Sequence, residues 1–313
     1  MKKVLIAILL LGLLPHASAD YIHWVDFRLS APVLRSALEL DMASQGGEQP
    51  LDWIDILALA AAWRGGTGVT VADTQRAAQA LRGDTPPERL PGMAGRYFSY
   101  YREAYGAALG GLAGHFAIRR TDPQTGEAEW IPAYGLKAFS PIAAGYPWSH
   151  YPDFGAQRSY GYARPHLGND ILGALGTPIC AVEGGTVEAL GWNRYGGWRI
   201  GIRSDDRKRY YYYAHLRKDT PYAEGLAVGQ RVQAGDVIGF MGRTGYSAQE
   251  NVNNIETVHL HFGLQLIFDE SQKECDSEIW IDAYPIIELL ASHCSSVARD
   301  CFVDGDKELV DDE

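Results

Sequence analysis

The chain carries His166-Leu167-Gly168-Asn169-Asp170 and, much further along, His259-Leu260-His261. Side chains two apart on a β-strand point to the same face, so His259 and His261 can both look into one cleft. His166 and Asp170 bring an imidazole nitrogen and a carboxylate oxygen from a second segment, and His215, in Tyr213-Ala214-His215-Leu216, lies between the two in sequence. Imidazole and carboxylate are a donor set suited to zinc, with a position left open for water. Two imidazoles remain to move protons near neutral pH. The pattern points to a metallohydrolase.

Around these residues, 166–268 reads as a series of short strands. Glu183-Gly184-Gly185, Arg194-Tyr195-Gly196-Gly197 and Ser204-Asp205-Asp206-Arg207 are turn signals, and Val, Ile, Tyr and Trp alternate between them. Strands joined by such short connections are antiparallel. By parity along Tyr210–Tyr213, Tyr211 and Tyr213 share a strand face with His215. They stand as weak candidates for substrate contact, with simple packing the even alternative. Upstream, 135–165 is rich in Gly, Pro and aromatic residues and is expected to form a linker and one wall of the cleft. His115–Thr121 and Ala128–Tyr134 flank Asp122-Pro123-Gln124-Thr125-Gly126, the pattern of a hairpin. His115, His150 and His293 stand outside the motifs and read as ordinary structural histidines.

Residues from about 50 to 113 look helical. Asp52 is placed to cap a run carrying Leu51, Ile54, Leu57, Ala58 and Ala61, which Gly65-Gly66 ends. A second helix is expected from Asp73 to Arg82, stopping at Gly83. A third carries Tyr97, Tyr101, Tyr105, Ala108 and Leu112 at helical spacing, an aromatic stripe that belongs to a core.

The first nineteen residues have the form of a secretory signal. Lys2 and Lys3 precede an apolar run from Val4 to Leu14, and Ala17-Ser18-Ala19 supplies the small residues of a cleavage site. That run is too short to span a membrane comfortably, and no second run of spanning length follows. The mature chain is expected to be soluble outside the cytoplasm, with no transmembrane segment once the signal is gone. A hydrophobic content of 46% is enough for a sizeable core. A net charge of -11, more negative still without Lys2 and Lys3, argues against a nucleic-acid partner, which rewards basic patches. Part of that charge lies in the tail Asp304–Glu313. No Cys-x-x-Cys pair occurs, which disfavours a thiolate zinc site. Cys180 reads as a buried thiol, and Cys294 and Cys301 are close enough in sequence to form a disulfide.

A single His-x-His is weak evidence; an ordered set is specific. His166-x-Gly-x-Asp170, Gly176-Thr-Pro, Gly185-Thr-Val, Tyr213-Ala-His215-Leu, Gly235-Asp-Val-Ile-Gly239, Thr244-Gly245 and His259-Leu-His261-Phe262 together resemble the lysostaphin-type (LytM) zinc endopeptidases of bacterial cell walls. The resemblance runs from about residue 140 to 290. It implies an α+β chain: a C-terminal, antiparallel β-rich catalytic domain of the duplicated hybrid motif type, preceded by a small helical region. It also implies that His166, Asp170 and His261 hold one Zn2+, that His215 and His259 are catalytic, and that the substrate is a peptidoglycan peptide.

The expected organisation is therefore a signal over 1–19, a helical region over 20–113 and a hairpin with linker and cleft wall over 114–165. A zinc peptidase β-domain follows over 166–290, and an extension with an acidic tail over 291–313. Two departures from the family pattern stand out. The stretch before His259 is drawn out into Tyr246–Val258, a loop able to border the cleft and change which peptides fit. The helical region carries no motif of a wall-binding repeat, leaving it as a packing partner, a lid or a targeting module. The expected function is an exported metallo-endopeptidase acting on peptidoglycan cross-bridges or stem peptides. The alternative is a non-catalytic envelope protein of the same fold that binds wall or activates another hydrolase. Export argues against a histidine phosphocarrier, because its phosphate donors are cytoplasmic.

Overall fold

The computed structural model describes residues 21–121, 124–159, 162–273 and 277–296. The signal-like segment 1–19, the acidic tail and Cys301 lie outside the described residues. Four helices come first: α1 (Ala31–Ser44), α2 (Trp53–Arg64), α3 (Val71–Leu81) and α4 (Met93–Leu109). Asp52 caps α2 by accepting a hydrogen bond from the Ile54 amide (2.8 Å), and Gly65 ends it in the left-handed conformation (φ 63°). Every side chain from Ile56 to Ala62 is buried, so α2 is the centre of the helical layer. Thr70 and Asp73 form a reciprocal capping box on α3. The aromatic stripe of α4 is core, as its spacing predicts: Tyr101 and Tyr105 are buried, and Leu112 just beyond the helix is too.

The sequence reading assigns 20–113 to a helical region but describes individual helices only from residue 50, and the structure adds α1. Its inward face carries Val33, Leu34, Ala37 and Leu38, but also Asp41, which interrupts the apolar stripe and is fully buried. Asp41 is tolerated there because its carboxylate accepts from the Trp53 amide, the Gln45 amide group and the Tyr134 hydroxyl. One buried acid thus ties α1 to the start of α2 and to the hairpin that follows.

That hairpin is β1 (Ala113–Thr121) and β2 (Ala128–Leu136), paired from Ala113 opposite Leu136 to Thr121 opposite Ala128. Short strands β3 (Trp148–His150), β4 (Gln157–Arg158) and β5 (Arg164–Pro165) follow. Then come β6 (Asn169–Gly173), β7 (Pro178–Cys180), β8 (Gly185–Asn193), β9 (Gly197–Ser204) and β10 (Arg209–Ala214). β11 (Arg231–Val232), β12 (Val237–Phe240), β13 (His259–Leu266), β14 (Ile279–Ile281) and the short helix α5 (Tyr284–Leu290) complete the chain. The main sheet has the order β11-β8-β9-β10-β13-β6-β3, with β14 pairing the far half of β13; every pairing is antiparallel. The fold is a helical region followed by an antiparallel, sheet-rich domain. Among the described residues no helix is long and apolar enough to cross a membrane.

The helical region docks on one face of the main sheet. On β10, Arg209 is 1% exposed; it is paired with Glu183 (2.7 Å) and donates to the Ala107 carbonyl in the last turn of α4 (2.6 Å). Tyr211, next on that face, donates to the same Glu183 carboxylate (2.6 Å). Tyr213 accepts from the Val182 amide and packs edge-on against Phe262. Both tyrosines are therefore core rather than groove, which corrects the parity argument that set them beside His215. Its failure has a local cause. His215, one residue past β10, adopts φ 61° and breaks the strand alternation.

Candidate metal centre

β13 sits between β10 and β6, and the histidine pair lies on its N-terminal half. His261 is directly opposite Asp170 on β6 and Ala214 on β10, so all three side chains leave the sheet on the same face. His166 precedes β6 and is fixed by two backbone bonds: its amide donates to Ala156 and its carbonyl accepts from Gly155. The structure thereby brings the three residues together. His166 Nε2 lies 2.7 Å from His261 Nδ1 and 3.1 Å from Asp170 Oδ1, and His261 Nδ1 lies 3.3 Å from Asp170 Oδ1. Gly168 makes room for this, since a Cβ there would stand 2.7 Å from His261 Cε1 and Nε2.

The remaining two histidines stand beside this cluster. The His215 and His259 rings are 4.8 Å apart, and the His215 and His261 rings 5.8 Å. His215 Nδ1 donates to the Thr244 carbonyl (2.9 Å) and His259 Nδ1 to the Thr257 carbonyl (2.9 Å). A carbonyl only accepts, so each ring carries a proton on Nδ1, and in the neutral form of either ring Nε2 is the acceptor. His259 Nε2 lies 3.7 Å from Asp170 Oδ1.

The donor set fits a small divalent cation. Asp170 Oδ1 is buried and has no hydrogen-bond partner, although its neighbours are the ring nitrogens of His166 and His261. A buried carboxylate oxygen left unpaired at the meeting point of two imidazole nitrogens is the arrangement a metal completes. Electrostatics agree. Burial would raise the Asp170 carboxyl, but His166 and His261 outweigh it and hold the group well below the usual carboxylate range. Burial, then the neighbouring His259 and His261, push His215 well below the ordinary imidazole value. Burial also lowers His261, opposed by Asp170. For His166 burial pulls downward, but the Asp153 and Asp170 carboxylates prevail and raise it to about 9.

The centre opens on a cleft of about 500 Å³ lined by Tyr151, Asp153, Arg158, Asp170, Leu172 and His259, with Tyr246, Asn254, Ile255, Glu256 and Thr257 opposite. Segment 135–165 therefore supplies a cleft wall, and the drawn-out loop before His259 does border the cleft. Bonds from Arg243 to the Ile255 carbonyl and from Asn254 to the Tyr246 carbonyl hold that loop in place. A larger hollow, about 630 Å³, lies between residues 24–30 and the β14–α5 segment, with Phe154 also lining it.

Three nearby residues escape the sequence reading. Tyr212 meets His261 edge-on, with ring centres 5.8 Å apart, and its hydroxyl accepts from Asn193. Arg158 Nη2 donates to Asp170 Oδ2 (2.9 Å) and Asp153 Oδ2 (2.8 Å). The β4–β5 ladder carries Arg158, while Asp153 lies just upstream of β4; neither belongs to a motif, and only folding takes them to the cluster. His150 and His293, by contrast, stack on Tyr284 and Phe139 and are structural.

Residues 164–274 match peptidase family M23. This segment is similar to M23 peptidase domains. The chain resembles the L-Ala–D-Glu endopeptidase of Bacillus subtilis (strain 168), with 40% identity over 130 residues, 42% of this chain and 38% of that protein. It also resembles the lysostaphin of Staphylococcus simulans, with 37% identity over 98 residues, 31% of this chain and 17% of that protein. The chain thus spans less than two fifths of the length of these curated relatives. A crystal structure of a LytM protein from Ruminococcus gnavus superposes with a TM-score of 0.51 at 24% identity, covering 88% of this chain and 94% of that one. The likeness extends across the helical region as well as the segment that matches M23, and it is one of fold.

Proposed function

We propose that this chain is an exported zinc metallo-endopeptidase that hydrolyses peptide bonds in the cross-bridges or stem peptides of peptidoglycan. One observation carries the reading. The segment that matches M23 gathers His166, Asp170 and His261 around a common point beside an open cleft, with His259 Nε2 3.7 Å from Asp170 Oδ1 and the His215 ring 5.8 Å from that of His261. The signal-like residues 1–19 support export. His166 Nε2, Asp170 Oδ1 and His261 Nδ1 would hold a single Zn2+. When bound, the ion supplies Lewis acidity, polarising the scissile carbonyl and making nearby water more acidic.

The protein's own groups supply the rest. His259 Nε2 accepts the proton of the attacking water, its ring fixed by Thr257. His215 supports the transition state. Burial keeps it neutral in the resting site, so any proton it takes up is readily passed to the leaving amine. The loop Tyr246–Val258 and the Tyr151–Arg158 wall orient the peptide. The presence of all five residues supports a catalytic role over a non-catalytic one.

The test is direct. Purified protein should contain one zinc per chain and release muropeptides from defined cell walls, with the cleaved bond read by mass spectrometry. His261→Ala should lose both zinc and cleavage; full activity in that variant would overturn the reading.

A further inference from the structure

We propose that Asp153 is a positioning residue for the metal centre, working with Arg158: Asp153 sets which nitrogen of His166 faces the ion, and Arg158 sets which oxygen of Asp170 does. The proposal rests on the zinc reading above and adds two groups outside the M23 match, which begins at residue 164.

His166 Nδ1 has three close neighbours. They are the Asp153 carbonyl oxygen (3.1 Å), Asp153 Oδ2 (3.2 Å) and Arg158 Nη2 (3.1 Å). Arginine only donates. Were Nδ1 to accept from Arg158, a neutral ring would carry its proton on Nε2. That proton would point into the gap shared with His261 Nδ1 and Asp170 Oδ1, where the cation belongs. Two oxygen acceptors from one residue decide against this arrangement. They take the Nδ1 proton, so the Nε2 lone pair faces the ion. Asp153 braces the second ligand too, because its Oδ1 accepts from the Asp170 amide (3.2 Å).

Arg158 acts on the carboxylate. Its Nη2 donates to Asp170 Oδ2 at 2.9 Å, a charge-assisted bond that commits this oxygen. Oδ1 is left buried and without a partner, turned to the histidines. Asp170 is thereby restricted to one donor oxygen. One-oxygen coordination suits a small four-coordinate ion such as zinc over larger cations that take a carboxylate through both oxygens. The Arg158 charge also lies between Asp153 and Asp170, allowing two acids to share one half-buried corner.

The experiment measures metal binding on the full chain rather than turnover. Metal-free wild type, Asp153→Ala, Asp153→Asn, Arg158→Gln and, as control, His166→Ala are titrated with zinc against a chromophoric chelator. Each is also loaded with cobalt(II), and the visible bands are recorded. Asp153→Ala should lose roughly 10- to 100-fold in zinc affinity, with an unchanged circular dichroism spectrum. Asp153→Asn should recover part of that loss, since its amide oxygen still accepts. Arg158→Gln should bind cobalt with weaker, shifted bands, reporting a carboxylate that now uses both oxygens. If Asp153→Ala does not fold, Asp153→Asn carries the test through its own affinity and cobalt bands. Zinc affinity within about threefold of wild type in both Asp153 variants, with His166→Ala binding none, overturns the role of Asp153 and leaves the zinc reading standing. Cobalt bands unchanged in Arg158→Gln overturn the role of Arg158. Wild type and His166→Ala binding zinc equally weakly would remove the zinc reading itself, and this proposal with it.

Discussion

Asp170 and His261 face each other across the β6–β13 ladder, and the backbone of Gly168 closes the space behind the His261 ring. A methyl group at Gly168 would stand 2.7 Å from His261 Cε1, His261 Nε2 and the Phe262 carbonyl; the carbonyl belongs to the β13 backbone, so the ring is the group that must give way. Gly168→Ala should therefore turn the His261 ring out of line with Asp170 and cost roughly tenfold or more in zinc affinity. The overpacking itself should destabilise the fold by about 1–3 kcal/mol. Calorimetric zinc titration together with a urea melt separates the two effects. Wild-type zinc affinity in this variant would show that the close approach does not matter.

His166 gives the centre a defined response to pH. In the metal-free fold Asp153 and Asp170 raise its imidazole from an ordinary value of 6.5 to about 9, against the opposing effect of burial. The fold thus binds this proton more tightly than the unfolded chain does. The resulting stability is fully present below about pH 6.5 and is lost as the pH rises through about 9. Zinc needs the nitrogen that the proton occupies. Across that window metal binding should release about one proton, and apparent affinity should rise about tenfold per pH unit. Zinc titrations at about pH 7.5 in buffers of differing ionisation enthalpy measure the release directly. A binding heat independent of buffer would contradict it.

Much of the architecture was legible in residues whose effect is local. Asp52 and Gly65 bracket α2 because a side-chain cap and a left-handed glycine act within one turn. The strand parity of His259 and His261 holds because β13 is regular from end to end. Where distant parts of the chain decide, sequence runs out. α1 is hidden by Asp41, whose burial makes sense only once Trp53, Gln45 and Tyr134 surround it. Tyr211 and Tyr213 mislead because one left-handed residue, His215, reverses the alternation on which their reading depends. Asp153 and Arg158 carry no motif and reach the cluster through a ladder only two residues long.

His215 offers a way to separate chemistry from metal binding. It takes no part in the three-residue cluster, and its Nδ1 is tied to Thr244. Its φ of 61° penalises most replacements, but asparagine tolerates the left-handed region. His215→Asn should keep one zinc per chain and a near-native melting temperature while kcat falls by about 10²–10⁴. Zinc analysis beside single-substrate kinetics checks both halves. Loss of zinc in step with activity would place His215 among the ligands instead.

The same β10 strand decides what the helical region does. Arg209 and Tyr211 leave β10 on the face opposite to Ala214, whose cross-strand partner is His261. The α4 carbonyls of Gly106 and Ala107 accept from Arg209, so the helices are fastened behind the sheet, and among the described residues the cleft lining lies within 151–259. A region anchored there packs against the sheet face opposite the histidine cluster. Removing Arg209 leaves the Glu183 carboxylate buried against Tyr211 without its counter-charge and takes the guanidinium donor from the Ala107 carbonyl. Arg209→Ala should therefore lose about 3–5 kcal/mol in urea denaturation, and limited proteolysis should cut between α4 and β1 well below the unfolding midpoint. Arg209→Lys should rescue part of the loss through charge alone, since an ammonium cannot span both the carboxylate and the carbonyls as the guanidinium fork does. If instead the protease trims the helices from wild type and leaves a stable, zinc-binding remainder, the helical region is a separable module and the buried pair is not what holds it.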